Sequence, residues 1–372
     1  MDFELTRDQL ELQRTVRDIL DQQCPPAVVR RVVEDGVGAD ALWSTLVGLD
    51  WPALAVPEEL GGIGSTWVEL AVVIEELGRA VAPTPFLATV TQFVPVVREA
   101  GTVEQQKRFV SGAASGQLTG TLAVDEGTGS WLPSEVKARA VRDGGGYRLS
   151  GRKRFVVDGA YADEIAVAIR LDGALRVVVV SGSEVDAQPL RPIDATTHHA
   201  DLALDGVRVE GDRLLGDGDA TSALTRAVEE ATTAVAVSTV GTCQAIFDLT
   251  LDYVKQRQQF GVPVGSFQAV KHKLADMYRD LERARALASF AALCLAEDDP
   301  RRAAATAMAK AAAGECQRRV FQDGLQLFGG IGYTWEHDLH LYLRRAKVGE
   351  LYFGSASQHR RRVAELARAA EG

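Results

Sequence analysis

The sequence is poor in cysteine, and none of its cysteines belongs to a metal or redox motif. Only four occur among 372 residues, at widely separated positions: Cys24, Cys243, Cys294 and Cys316. Zinc sites need cysteines at short recurring spacings, and disulfide frameworks are typical of small secreted domains. We therefore expect no metal site, no disulfide bond and a reducing, cytoplasmic environment.

Excess basic charge and long apolar runs are also absent. The chain carries 41 lysines and arginines against 51 acidic residues, a net charge of −10, which would repel the phosphates of nucleic acid. No uninterrupted apolar run approaches the roughly 20 residues of a membrane span. Residues 1–14 are charged and amphipathic, unlike a secretory signal. We expect no nucleic-acid partner, no membrane span and no export signal.

Familiar catalytic signatures are missing as well. The sequence contains no GxSxG, Walker or HExxH motif. Segments 62–64 and 330–332 do not complete a GxGxxG fingerprint, so a plain loop is the better interpretation of each. His337 and His340 are three residues apart but lack a third ligand, which favours capping or packing over metal binding.

Two changes in composition divide the chain into three segments. Residues 1–118 have helical periodicity, residues 119–217 contain short strands with glycine-rich turns, and residues 218–372 are helical and rich in alanine. Strands that follow one another without intervening helices favour an antiparallel sheet or small barrel. We predict three domains with these bounds, mainly α with a central β domain, and a final segment packed as an antiparallel bundle.

Turn residues and glycine spacing predict individual elements. Asp-Gly pairs at 172–173 and 205–206, and the turn at 143–146, lie between apolar alternations, which is typical of β-hairpins. Residues 221–257 contain no proline and a single glycine, Gly241, so we predict one long helix there. Further helices are predicted at about 267–297 and 301–327.

A first candidate binding motif follows the long predicted helix, where residues 257–263 read RQQFGVP. An arginine at this place, Arg257, could present a bidentate fork to a pyrophosphate. Phe260 could stack on a ring system, and Gln268 could bind a polar edge. An ordinary helix–turn–helix with an exposed arginine is equally compatible with the motif taken alone.

A second candidate motif, QLFGGIGYTWEHD, spans residues 326–338. Gly329 and Gly330 would allow the backbone to approach a ligand or another subunit closely. The alternative is a structural turn whose aromatic residues fill the core.

In this order and spacing, the motifs resemble the acyl-CoA dehydrogenase flavoproteins, and the resemblance covers nearly the whole chain. Segment 57–64 (PEELGGIG) is similar to a loop of that family, segment 75–78 (EELG) to its next helix, and segment 151–159 to a strand beside the flavin. The resemblance implies an N-terminal helical domain, a β-barrel-like middle domain and a C-terminal four-helix bundle.

The resemblance also implies a FAD site with residues from two subunits. Arg257 and Phe260 would meet the pyrophosphate and adenosine portion, with Gln268 close by. In the same family pattern, Trp131 stands where an acid is expected. The full set of FAD residues implied in this way is Arg257, Phe260, Gln268, Gln326 and Gly330 for the nucleotide, Phe155 and Val157 for the isoalloxazine, and Leu122 and Val124 for the flavin edge.

The reaction implied is oxidation of an acyl-CoA thioester to the 2,3-enoyl-CoA, with electrons passed to an electron-transferring flavoprotein. A carboxylate must remove the α-proton, yet the two positions that carry it in this family align with Phe353 and Ala231. Glu230 is adjacent to Ala231 but points about 100° away around a helix.

Three explanations remain open for the missing base. This chain could be one subunit of an α2β2 heterotetramer, in which a homologous partner supplies the glutamate. Glu230 could serve as the base in a homotetramer after a local shift. Finally, the fold could have been recruited for a flavin reaction without α-proton abstraction, or for none.

Overall fold

The computed structural model describes residues 4–36 and 38–371. Two five-residue π-helical segments, Thr89–Phe93 and Gln106–Val110, join short helices in the first third of the chain. The α-helices are α1 Arg7–Gln23, α2 Pro26–Asp35, α3 Asp40–Gly48, α4 Trp67–Arg79, α5 Phe86–Ala88, α6 Val94–Ala100, α7 Val103–Gln105, α8 Ser111–Ala114, α9 Thr221–Gln256, α10 Gln268–Ala296, α11 Arg302–Phe328, α12 Leu339–Leu351 and α13 Ala356–Glu371.

Strands occupy the middle of the chain, with one short pair after α9. They are β1 Gly120–Ala123, β2 Arg139–Asp143, β3 Gly146–Ser150, β4 Arg152–Val157, β5 Glu164–Leu171, β6 Ala174–Ser181, β7 Asp186–Pro189, β8 His199–Ala203, β9 Arg208–Glu210, β10 Gln258–Gln259 and β11 Val262–Pro263. The predicted fold class is confirmed, because helical N- and C-terminal parts enclose a β segment along the chain. The three long predicted helices correspond to α9, α10 and α11.

The chain divides into two compact units, and the three-domain division at residues 118 and 217 stays a prediction. The helical unit comprises Met1–Gly38, Trp67–Pro83 and Thr232–Gly372, and the second unit comprises Ala39–Thr66 and Thr84–Ala231. Helix α9 therefore begins in one unit and ends in the other.

Backbones touch where helices α4 and α9 cross in the helical unit. A Cβ atom on Gly241 would collide with the carbonyl oxygen of Glu75, and one on Gly78 would collide with that of Ser238. The hydroxyl of Thr242 donates a hydrogen bond to the Gly78 carbonyl at 2.8 Å. This crossing explains both the single glycine of the long helix and the glycine of the EELG segment.

Apolar side chains from two sheets form the core of the second unit. One sheet has the strand order β1-β5-β2-β3-β9, with β6 paired to β5, and the other has the order β4-β8-β7. Ile165, Val167 and Ile169 of β5 pack with Val156 of β4 and Leu202 of β8. The two hairpins predicted at 143–146 and 172–173 are confirmed as β2–β3 and β5–β6.

Two β predictions are wrong. The sheet is not purely antiparallel, because β1 and β2 each pair with β5 in parallel. The Asp-Gly pair at 205–206 does not close a hairpin, since it carries the chain from β8 in one sheet to β9 in the other. After this turn the chain pairs with β3, where Leu149 donates its amide to the Val207 carbonyl at 2.8 Å. A local turn signal cannot reveal such a change of sheet.

Helix α9 is long and apolar enough to cross a membrane, but 78% of its most apolar 18-residue stretch is buried in the protein. The core helix of a folded domain has the same properties, so this finding is weak evidence for a span.

We predict that Gly241→Ala lowers the free energy of unfolding by about 1–3 kcal/mol, because the added methyl group forces α4 and α9 apart. Urea or thermal denaturation measures the change. The control is Gly218→Ala, where a Cβ meets no atom within 4 Å, and we expect a change within about 0.5 kcal/mol. Equal effects of the two substitutions would contradict the close crossing.

Candidate functional site

A short exposed hairpin follows the end of α9. Strands β10 and β11 pair around Phe260 and Gly261, which both have positive φ angles of 53° and 79°. Such a pair of central residues is typical of a tight two-residue hairpin turn. The turn places the Phe260 side chain at the tip, 92% exposed, with its nearest aromatic neighbour Phe267 at 6.2 Å between ring centroids.

A cleft of about 620 Å³ lies beside this hairpin in the helical unit. It brings together three of the predicted FAD residues, Arg257, Gln326 and Gly330, whereas Phe260 and Gln268 are exposed and do not line it. Tyr253 and Phe328 stack at 4.4 Å within the lining. The lining residues are Tyr253, Arg257, Gln259, Val264, Ala269, Val270, Lys273, Gln326, Leu327, Phe328, Gly329, Gly330 and Ile331.

The lining of this cleft has the chemistry of a nucleotide site. The guanidinium of Arg257 can bind two phosphate oxygens at once, and the amide of Gln326 can donate to or accept from a polar base edge. Gly329 has a φ of 64°, and a Cβ on it or on Gly330 would meet no atom within 4 Å. The backbone there is therefore open to a ligand.

The other four predicted FAD residues lie on two adjoining segments of the second unit, which we name the β1–β4 junction (residues 121–127 and 153–157). The Thr121 hydroxyl donates to the Val157 carbonyl at 2.6 Å, and the Arg154 amide donates to the Asp125 carbonyl at 2.8 Å. Leu122 and Val124 are buried. Phe155 has a φ of 55° and a side chain that is 42% exposed. A flat ring at a strand surface can stack on another ring.

The two positions where a base is expected hold no proton acceptor. Ala231 is fully buried in α9. The neighbouring Glu230 is 2% exposed, and its Oε1 accepts hydrogen bonds from Arg98 at 2.6 Å and from Arg226 at 2.9 Å. The structure therefore places Glu230 in a buried ion pair with two guanidinium groups.

The other position, Phe353, lies in a tightly bonded turn between α12 and α13. Phe353 is buried and has a φ of 52°, a conformation unfavourable for a bulky residue. The Nε2–H of His359 donates to its carbonyl at 2.6 Å. Lys310 donates to the carbonyls of Glu350 at 2.9 Å and Gly354 at 2.6 Å. Three carbonyls of the turn are therefore held by buried side chains.

Burial shifts the pKa values of both groups that hold this turn. It lowers the pKa of Lys310 to about 7, against the opposing effect of Glu350, and lowers the pKa of His359 to about 4. Sequence reasoning missed both residues. Only Lys310 had a recognisable signal in the sequence, because it is the single cation of the alanine-rich stretch 303–314.

The two histidines considered as metal ligands have packing roles. His337 Nδ1 accepts a hydrogen bond from the Leu339 amide at 3.0 Å at the start of α12, and the ring of His340 stacks on Trp335 at 4.2 Å. Among residues 4–36 and 38–371, no group of three histidine, cysteine or acidic side chains could hold a metal ion.

Two family models match the chain. The acyl-CoA dehydrogenase N-terminal domain matches residues 6–117, and the acyl-CoA dehydrogenase C-terminal domain matches residues 221–367. The chain belongs to the acyl-CoA dehydrogenase family. The resemblance seen in the motifs is thereby confirmed.

Relatives in this family extend over nearly the full chain. Acyl-CoA dehydrogenase IpdE2 of Mycobacterium tuberculosis is 33% identical, covering 90% of this chain and 89% of its own. A chain of the ChsE4-ChsE5 complex from the same species has a TM-score of 0.90 at 30% identity, covering 99% of both chains. A chain of the Tcur3481-Tcur3483 steroid ACAD has a TM-score of 0.87 at 30% identity, covering 98% of this chain and 99% of that one.

We predict that His359 makes the protein less stable as the pH falls from 6.5 to 4. The imidazole has a pKa of about 4 in the folded protein against 6.5 ordinarily, so the unfolded chain binds more protons throughout that window. The contribution of His359 to the free energy of unfolding is present above pH 6.5. It is lost as the pH falls towards 4, and the total loss is about 3 kcal/mol.

Denaturation of His359→Gln across this pH range tests the assignment. The variant should lose that part of the pH dependence, whereas His272→Gln, at an exposed position of α10, should retain it. The same slope in the wild type and in His359→Gln would contradict a buried neutral imidazole.

Proposed function

We propose that this chain is a subunit of a FAD-dependent acyl-CoA dehydrogenase, and that a homologous partner subunit supplies the carboxylate base. The observation that carries the proposal is the pair of positions Ala231 and Phe353, which have no proton acceptor, while three candidate cofactor residues line one cleft and four lie at the β1–β4 junction. The proposed reaction converts an acyl-CoA thioester of lipid origin to its 2,3-enoyl-CoA.

The residues present fit FAD. In the cleft, Arg257 would bind the pyrophosphate, and Gln326 with the open backbone at Gly330 would bind the nucleotide portion. At the β1–β4 junction, Leu122, Val124, Phe155 and Val157 would contact the isoalloxazine. Arg257 and Phe260 would meet the pyrophosphate and adenosine portion across the subunit interface, with Gln268 close by. When bound, FAD supplies the acceptor for the hydride that leaves the β-carbon of the substrate.

A base is needed because the α C–H bond of an acyl thioester is barely acidic. Removal of the proton requires a positioned acceptor in a dry pocket together with donors that polarise the thioester carbonyl. The benzyl group of Phe353 and the methyl group of Ala231 cannot accept a proton.

Glu230 does not fill the gap in this proposal. Its carboxylate is almost completely buried and is compensated by Arg98 and Arg226. Moving this buried carboxylate away from Arg98 and Arg226 would break both of its ion pairs, which costs several kcal/mol because the carboxylate has little access to water. We therefore assign Glu230 a structural role and disfavour a homotetramer that uses it as the base.

Two observations support a heteromer. Related chains occur in the ChsE4-ChsE5 complex and in the Tcur3481-Tcur3483 steroid ACAD, both named for two components. Phe260 exposes nearly its whole ring at the tip of the hairpin turn, and aromatic residues are enriched at subunit interfaces. We propose an α2β2 tetramer in the cytoplasm with an electron-transferring flavoprotein as the electron acceptor.

Co-expression with homologous chains from the same genome tests the proposal. We expect a yellow complex with one homologue that carries a glutamate at the position equivalent to Phe353 or Ala231, and dehydrogenase activity only in that complex. A colourless complex, or full activity of this chain alone, would overturn the proposal.

We predict that Arg257→Ala weakens FAD binding to the complex at least about tenfold, since it removes charge-assisted hydrogen bonds to the pyrophosphate. Fluorescence titration of the FAD-depleted complex measures the dissociation constant. The control, Arg361→Ala, removes an exposed guanidinium from α13 and should leave FAD binding unchanged. Equal dissociation constants for the two variants would place the pyrophosphate elsewhere.

We predict that Glu230→Gln lowers the free energy of unfolding by about 2 kcal/mol, because it removes the buried charge that pairs with the partly buried guanidinium groups of Arg98 and Arg226. The turnover number per folded complex and its pH profile should not change. Glu99→Gln is the matched control, since Glu99 forms a salt bridge with the same Arg98 at the surface. It should change the free energy of unfolding by less than about 1 kcal/mol. Abolished turnover in a folded Glu230→Gln complex would identify Glu230 as the base.

A further inference from the structure

Lys153 is a charged side chain with no exposed surface, and none of the roles above uses it. It lies in β4, and its ammonium donates to the carbonyl of Val124 at 3.1 Å and to Oε1 of Glu126 at 2.8 Å. Burying an ammonium group costs several kcal/mol, and a buried ion pair is seldom more stable than a well-packed apolar pair. The retention of this pair therefore suggests a role beyond stability.

Glu126 connects the pair to a third segment. Besides Lys153, its carboxylate accepts hydrogen bonds from the backbone amides of Lys137 at 3.0 Å and Ala138 at 2.9 Å. One carboxylate thus bonds β4, through Lys153, to the residues immediately before β2. Because Glu126 itself lies in the loop after β1, all three segments meet at this ion pair.

The residues next to Lys153 form the exposed bend of β4. The register between β4 and β8 shifts between Lys153 and Val156, which is a β-bulge. At this bulge Asp201 accepts hydrogen bonds from the side chain of Arg154 at 2.9 Å and from the amide of Phe155 at 3.3 Å. The Arg154 guanidinium lies 4.9 Å from the Phe155 ring centroid. The hydrogen bond to Asp201 and the contact with Arg154 therefore fix the direction of the Phe155 ring, two residues after Lys153.

We propose that the Lys153–Glu126 ion pair is a positioning element that fixes the Val124 segment and the Phe155 ring relative to each other, the two neighbouring parts of the junction that would contact the isoalloxazine. The inference rests on the proposed function, since it assigns the β1–β4 junction to the flavin. Lys153 acts through Val124 and Glu126 and does not itself contact the cofactor.

A purely structural role makes a different prediction from a positioning role. If the pair only stabilises the second unit, then replacing both partners by neutral residues of similar shape should restore stability and cofactor binding together. If the pair positions the junction, the same double substitution should restore stability while FAD binding stays weak, because preorganisation of the site is lost.

The experiment uses the complex with the partner subunit, depleted of FAD and titrated with FAD by fluorescence. We expect Lys153→Met to weaken FAD binding about tenfold or more, as is typical when a residue supporting a binding site is removed. The double variant Lys153→Met with Glu126→Gln should melt close to the wild-type temperature without FAD, and should still bind FAD about tenfold more weakly. The flavin absorption spectrum reports the altered surroundings of the ring independently.

The control is Lys137→Met, which removes an exposed charge from the same region and leaves the ion pair intact. It should change neither FAD affinity nor the flavin spectrum. Wild-type FAD affinity in Lys153→Met, or affinity that recovers with stability in the double variant, would overturn the positioning role. A wild-type complex that binds no FAD would instead overturn the proposed function.

Discussion

The crossing of α4 and α9 at Gly78 and Gly241 is the contact on which the helical unit depends. With backbones touching there, α9 cannot rotate or slide, so the residues along it keep fixed neighbours. A Cβ on Gly349 of α12 would collide with Thr239 of α9, and Arg257 with its hairpin follows the end of α9. Both the cleft beside the hairpin and the turn at Phe353 are therefore built against one helix whose position a pair of glycines sets.

The chain belongs to the acyl-CoA dehydrogenase family, and the two positions where we expect a base hold alanine and phenylalanine. The turn at Phe353 retains a left-handed conformation that costs about 1–2 kcal/mol for a bulky residue, together with two buried side chains that hold its carbonyls. In the heteromer that we propose, proton abstraction belongs to the partner subunit, and buried side chains hold the shape of this turn.

Local patterns in the sequence predicted the long helices, which follow from where proline and glycine are absent. The motifs at Arg257 and Gln326 contain residues that line one cleft, but the cleft itself depends on how distant helices pack. Contacts between distant segments were not predictable: Glu230 bonds Arg98 across 132 residues, and Lys153 bonds Glu126 across 27. Periodicity shows which residues are apolar, but not which buried charge compensates another.

Anaerobic mixing of acyl-CoA with the flavin-loaded chain tests the central claim most directly. Reduction of FAD bleaches its visible absorption, and it requires removal of the substrate's α-proton. We predict that this chain alone leaves the absorption unbleached, and that bleaching begins when the partner subunit carrying the glutamate is added. Rapid bleaching by the flavin-loaded chain without its partner would show that it contains its own base, and would contradict the account.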